Sequence, residues 1–116
     1  MILSVIIPCR NELSNIEECI QAIYQNDLDI DVQLNIIVVD GMSEDGNRTL
    51  VEQLKLKNSN LYIIDNIDKV TPLAFNLGIK FLKSDFYQIV GAKQILSINY
   101  LQKAINVLTK TLLFLV

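Results

Sequence analysis

The chain has 116 residues, enough for one domain and not two, so residues 1–116 are expected to form a single unit. Hydrophobic residues make up 51% of it, so a real core can be buried, while the 20% charged fraction is ordinary for a domain in water. A net charge of −3 and a pI near 4.8 exclude the basic footprint of a nucleic-acid binder. The apolar run 112–116 falls far below the roughly 20 residues that a membrane span needs.

The first residues, Met1-Ile2-Leu3-Ser4-Val5-Ile6-Ile7-Pro8, carry no basic residue before the apolar run and no small-residue cleavage site after it. They do not read as a signal peptide, which points to the cytoplasm. Cys9 and Cys19 are the only cysteines and histidine is absent. A disulfide framework and a zinc site are therefore not expected, and the two thiols read as reduced and mostly buried. Any acid–base chemistry would fall to carboxylates, lysine or tyrosine.

Leu3–Ile7 is apolar and partly β-branched, the pattern of a buried strand. Ser14-Asn15-Ile16-Glu17 has the form of a capping box, opening a helix with Ile16, Ile20, Ile23 and Tyr24 on one face. Asn35–Val39 reads as a second strand ending at Asp40. The turn-rich loop Asp40–Gly46 follows, then a helix with Leu50, Val51 and Leu54 inward. Leu61–Ile64 is a third strand. Thr71-Pro72 reads as a cap with proline in the first turn of a helix that turns Ala74, Phe75, Gly78, Phe81 and Leu82 to one side. Gly78 costs helix stability and so is expected to permit close packing on a sheet. Phe86–Val90 is a fourth strand. A last helix, about 99–108, has Leu101, Ala104, Ile105 and Leu108 inward.

This β-α-β-α-β-α-β-α order predicts an α/β fold: a Rossmann-like three-layer α/β/α arrangement with a mainly parallel sheet. Ligands of such sheets bind beyond the carboxyl ends of the strands, where strand order reverses. That rule selects Pro8–Glu12, Asp40–Asp45 and Gly91–Lys93. In the first segment, Asn11 and Glu12 either cap a helix or offer an amide and a carboxylate to a base or ribose. In the second, Asp40 can accept a hydrogen bond from a base or ribose, and Gly41 lets backbone approach a ligand. Ser43 or Asp45 is the expected cap of the next helix. Asn76, in an apolar helix, reads as a buried amide that either tethers a loop or touches ligand. Arg10 can contact phosphate or pair with Glu12, and Lys69 can face a diphosphate or solvent. No GxxxxGK[ST] or GxGxxG phosphate cradle is present.

Three stretches together, Ser4–Glu12, Ile37–Gly46 and Ala74–Ile79, resemble the family 2 glycosyltransferases of the GT-A fold. The resemblance runs from residue 2 to about residue 108 and covers about the first half of such a catalytic domain. It implies a nucleotide-diphosphate sugar such as a UDP-sugar as ligand, held by Pro8, Cys9, Arg10, Asn11, Glu12, Asp40, Gly41, Ser43 and Asn76, with transfer to the hydroxyl of an unknown acceptor. In this resemblance Asp40 reads the base and Asn76 lies towards the sugar diphosphate. It also implies Mg²⁺ or Mn²⁺ on an Asp-X-Asp or Asp-X-His after the fourth strand. Here that place holds Gly91-Ala92-Lys93, so the metal ligands are missing, and Lys93 either offsets diphosphate charge or is a solvated surface lysine. The family's catalytic base lies beyond the sequence, which leaves no catalytic residue to name. The apolar ending 112–116 is expected to mark an interrupted chain, able to self-associate there or through an open sheet edge. The alternative is a degenerate, non-catalytic module that binds nucleotide or protein.

Overall fold

The computed structural model describes residues 1–115, with side chains as far as Lys110, so the side chains of the apolar ending 112–116 lie outside the described residues. Four strands, β1 (Ile2–Cys9), β2 (Gln33–Asp40), β3 (Leu61–Asp65) and β4 (Phe86–Ile89), alternate with four helices. The helices are α1 (Ile16–Tyr24), α2 (Asn47–Lys57), α3 (Thr71–Phe81) and α4 (Tyr100–Leu115). All strand pairings are parallel and the sheet order is β3-β2-β1-β4. The predicted α/β class and element order are therefore what the chain adopts.

β1 and β2 are central strands with helices on both faces, which is why they read as nearly unbroken apolar runs. Alternate residues serve opposite faces. Val5, Ile7, Ile36 and Val38 join Ile16, Ile20, Ile23, Val51, Leu101 and Ile105 in the larger core, under α1, α2 and α4. Ile6, Ile37 and Val39 meet Ala74 of α3 in a smaller core on the other face. The three layers are thus unequal. Gly78 holds α3 close: a Cβ there would stand 2.7 Å from Ile6 Cγ2, so the expected tight helix–sheet contact is real.

Several local expectations give way. No side chain caps α1; Asn15 occupies the N-cap position and gives its Nδ2 to Glu12 Oε2 at 2.9 Å, so Ser14 and Glu17 form no capping box. Thr71 is the first helical residue of α3, not its cap, because Val70 takes that position in extended conformation. Gly46, at φ 94°, takes the N-cap position of α2, while Asp45 Oδ1 accepts the Asn47 amide. Phe81 and Leu108 are exposed, not inward, because the positions buried on these helices, among the described residues, are Ala74 and Gly78 of α3 and Leu101 and Ile105 of α4. Phe81 instead meets Tyr62 edge-on, with ring centroids 5.4 Å apart. Among the described residues no helix is long and apolar enough to cross a membrane.

Candidate functional site

Register decides which residues meet at the carboxyl end of the sheet. Cys9 pairs with Asp40 across β1 and β2, and Asp40 with Asp65 across β2 and β3. Three loops therefore leave neighbouring strand tips side by side. Each contains a non-glycine residue in the left-handed region: Asn11 at φ 55°, Met42 at φ 62° and Lys69 at φ 62°. Such residues cost of order 1–3 kcal/mol each and persist only where their surroundings over-determine them.

Asp40 supplies much of that determination. It has no exposed surface, and its carboxylate accepts hydrogen bonds from Ser43 N–H (3.0 Å), Ser43 Oγ–H (2.5 Å) and Asn47 Nδ2–H (3.0 Å). Ser43 Oγ in turn accepts the Asn11 amide at 2.8 Å, and Asn11 Oδ1 accepts the Glu44 amide at 2.7 Å. Asp45 Oδ2 accepts the Leu13 amide, and that hydrogen bond is the main cause holding the exposed Asp45 carboxyl below the usual carboxylate range. The first two loops are thus laced together. The third is joined through Asn66, only 3% exposed, whose amide donates to Asp40 O and whose Nδ2 donates to Val70 O. Lys69 N–H closes the same turn on Asn66 O.

A cavity of about 210 Å³ opens between these loops and the start of α3. Pro8, Cys9, Arg10, Glu12 and Gly41 line it, with Asn66, Lys69, Thr71 and Ala74 opposite. A broader, shallower hollow of about 710 Å³ lies beside it, bounded by Asp40, Met42, Ser43, Glu44, Arg48, Asp65, Ile67 and Lys69. Lys69 borders both. Glu12 and Asp40 therefore lie at adjacent strand tips, as the sequence implied, yet they face different hollows. Asp40 holds the loops from inside and exposes no carboxylate surface.

Cys9 is a neutral thiol. Burial is the main cause pushing its pKa up to about 12; Asn47 opposes this by donating to sulfur at 3.3 Å, and the carboxylates of Asp40, Glu12 and Asp45 push it further up. Asn47 is fully buried and its Oδ1 has no hydrogen-bond partner. Arg48 Nη1 bridges Asp65 Oδ1 and, at 3.9 Å, Asp40 Oδ2. Arg10 makes no ion pair with Glu12; the ion pairs among the described residues belong to Arg48.

Two sequence candidates stand apart. Asn76 is exposed on α3, lines neither hollow and tethers no loop, because the buried positions of α3 are Ala74 and Gly78. Lys93 is exposed in the turn after β4 and also lines neither hollow. Asn47, Arg48 and Asn66 were missed by the sequence reading. A buried asparagine and a solvated one look alike in a sequence; the available signal was that Asn47 closes the loop after Asp40 and Asn66 directly follows the strand-end Asp65.

The sequence profile of Glycosyl transferase family 2 matches residues 4–113. The chain belongs to this family. It is 33% identical over 92 residues to the dolichyl N-acetyl-alpha-D-glucosaminyl phosphate 3-beta-D-2,3-diacetamido-2,3-dideoxy-beta-D-glucuronosyltransferase of Methanococcus voltae, an alignment covering 78% of this chain and 28% of that protein. Among solved structures, the mannosyltransferase PcManGT from Pyrobaculum calidifontis, in complex with GDP-Man and Mn²⁺, superposes with a TM-score of 0.80 at 25% identity, over 89% of this chain and 31% of that one. TarS 1-349 from S. aureus in complex with UDP gives 0.78 at 22% identity, over 95% and 32%; it is also solved with UDP-GlcNAc. The family 2 chain described here thus spans about a third or less of the length of these relatives.

PcManGT carries Mn²⁺; the residues of this family 2 chain do not fit such an ion. A hard divalent cation takes oxygen ligands. Gly91-Ala92-Lys93, after β4, supplies no carboxylate, and the Asp40–Asp65 pair is already bridged by Arg48. Among the described residues no three potential metal-ligating side chains converge.

Proposed function

We propose that this chain is the donor-binding unit of a glycosyltransferase, one domain over residues 1–116, and that its strand-tip cavity takes the nucleoside diphosphate of a UDP-sugar. The observation that carries this is the cavity itself, where Arg10 and Glu12 from the loop after β1 and Lys69 from the loop after β3 line a space that Gly41 keeps open. Pro8, Cys9 and Gly41 form an apolar and backbone wall suited to a planar base, and Glu12 offers a carboxylate to ribose hydroxyls. Asp40, Ser43 and the side-chain oxygen of Asn11 act by positioning, since the first two bond each other and the third accepts the Glu44 amide. The complexes of PcManGT with GDP-Man and of TarS with UDP and UDP-GlcNAc support a nucleotide-sugar ligand.

The test is thermal stability under increasing UDP, GDP, TDP and uridine. A ligand bound only by the folded state adds about 2.7 kcal/mol at a hundredfold excess over its Kd. UDP is expected to raise the melting temperature most. No shift with any nucleotide at millimolar concentration would remove the proposal.

A second reading, a binding module without turnover, is favoured by one observation: Gly91-Ala92-Lys93 stands where the family resemblance places carboxylates. Nucleotide stabilisation with no release of UDP from UDP-sugars would select it.

A further inference from the structure

We infer that this chain holds the diphosphate of its donor with its own cations, Arg10 and Lys69, and needs no divalent metal to do so. The inference rests on the donor-binding reading and concerns how the same cavity meets the ligand's charge.

Charge is the first argument. A diphosphate brought to the strand tips must be neutralised, and the carboxylates that would recruit a metal are missing or taken. Gly91-Ala92-Lys93 has none, Asp40 is fully buried in hydrogen bonds, and Arg48 occupies the gap between Asp40 and Asp65. The cavity wall carries two cations against one carboxylate, Glu12. Glu12 is engaged by Asn15 Nδ2, and neither Arg10 nor Lys69 has an ion-pair partner among the described residues. Their charge is therefore available to a ligand.

Placement is the second argument. Arg10 and Lys69 leave the tips of β1 and β3, the strands on either side of β2. Gly41, at the β2 tip, makes room for Arg10: a Cβ at Gly41 would lie 3.3 Å from Arg10 Cβ and 3.5 Å from its Cδ. Lys69 sits in a left-handed turn fixed by the buried Asn66. Thr71, the first residue of α3, lies on the same wall, so the positive end of that helix adds to the field. Two cations beside a helix N-terminus offset part of a diphosphate's charge without a metal's coordination geometry. The family resemblance would seat this compensation at Lys93, which borders neither hollow; the structure assigns it to Arg10 and Lys69.

The experiment is calorimetric titration of UDP and of uridine into the intact chain, in EDTA and in Mn²⁺ or Mg²⁺. UDP is expected to bind equally in both media, at least about tenfold tighter than uridine, with affinity falling as salt rises. Lys69→Asn, which tolerates the left-handed backbone, and Arg10→Gln should each weaken UDP about 5- to 10-fold and leave uridine unchanged. Lys69→Arg should restore most of the loss. Tightening of UDP by tenfold or more on adding metal would overturn the inference and leave the donor reading standing. Equal affinity for UDP and uridine would also overturn it, as would a loss at Lys93→Ala without one at Lys69 or Arg10. Failure of every nucleotide in both media would overturn the donor reading and this inference together. The wild-type comparison of EDTA with metal does not depend on any variant folding.

Discussion

Replacing Asp40 separates two meanings of a carboxylate at a strand tip. If Asp40 reads a ligand, Asp40→Asn should cost affinity and little stability. In the structure it does the reverse work. Both oxygens accept protein donors: Ser43 Oγ–H and Asn47 Nδ2–H converge on Oδ1, and Ser43 N–H meets Oδ2. An asparagine can place its single carbonyl at only one of these points. With oxygen at the Oδ1 position, its NH₂ faces the Ser43 amide, leaving a buried donor unsatisfied at about 1–3 kcal/mol. The remaining two hydrogen bonds lose their charge assistance, partly offset by the removal of a buried charge. The sum is a loss of about 3 kcal/mol. Asp40→Ala abandons these three donors and the weaker Cys9 thiol at 3.9 Å, and should cost about 3–5 kcal/mol. The 3.9 Å approach of Arg48, whose side chain is 41% exposed, adds little to either figure.

Urea unfolding at neutral pH measures these losses, and amide hydrogen exchange locates them. The Asn11, Ser43 and Glu44 amides should exchange faster in Asp40→Asn, because the chain Asp40–Ser43–Asn11–Glu44 starts at the altered group. A stability change below about 0.5 kcal/mol with unaltered protection would refute the reasoning and return Asp40 to the ligand.

Gly78→Ala should destabilise by about 1–2 kcal/mol despite alanine's better helix propensity, because its Cβ would meet Ile6 atoms at 2.7 and 3.0 Å; in an Ile6→Ala background the same change should become stabilising, which a double-mutant cycle reads directly. The thiols set an alkaline limit. Burial pushes Cys9 from 9.0 up to about 12 and Cys19 from 9.0 up to about 11, so the folded state retains protons that the unfolded state releases. Stability from these groups is complete below pH 9 and declines above it, and urea midpoints taken from pH 7 to 11 should fall less steeply in a Cys9→Ala, Cys19→Ala variant. At Lys69 the backbone discriminates: Lys69→Gly should keep wild-type stability, whereas Lys69→Val should lose about 1–2 kcal/mol by chemical unfolding, since a β-branched residue resists φ 62°.

Periodicity carries what is repeated, and so the fold was readable. Buried parallel strands must be apolar on both faces, and helices between them must bury a stripe; Val5–Ile7, Ile36–Val39 and Ile16–Ile23 declare this without help. Gly78 was readable for the same reason, since a glycine inside a helix costs stability that only close packing repays. The caps were not. Ser14, Thr71 and Ser43 have the chemistry to cap, but each hydroxyl chooses among partners set by three-dimensional neighbours, and Ser43 is claimed by Asp40 and Asn11 before any helix can use it.

The candidate site divides along the same line. Which loops meet follows from strand order, so Pro8–Glu12 and Asp40–Ser43 could be brought together from sequence. Which side chains face outward depends on register and burial. Asp40 and Asp65 are both aspartates ending adjacent strands, paired in register, yet one is fully buried and the other's side chain is 46% exposed, with Arg48 between them. Asn76 shows the converse: an amide on an apolar helix reads as buried until the helix's inner face is seen to be narrow, only Ala74 and Gly78 wide. Lys69 was legible only as one of two alternatives, diphosphate or solvent. A lysine in a loop is ordinarily solvent-facing, and what distinguishes this one is a left-handed backbone locked by Asn66, three residues earlier, whose own amide is held by the carbonyl of Asp40. Through its backbone carbonyl, and not its carboxylate, Asp40 thus helps fix the turn that carries Lys69 to the cavity wall.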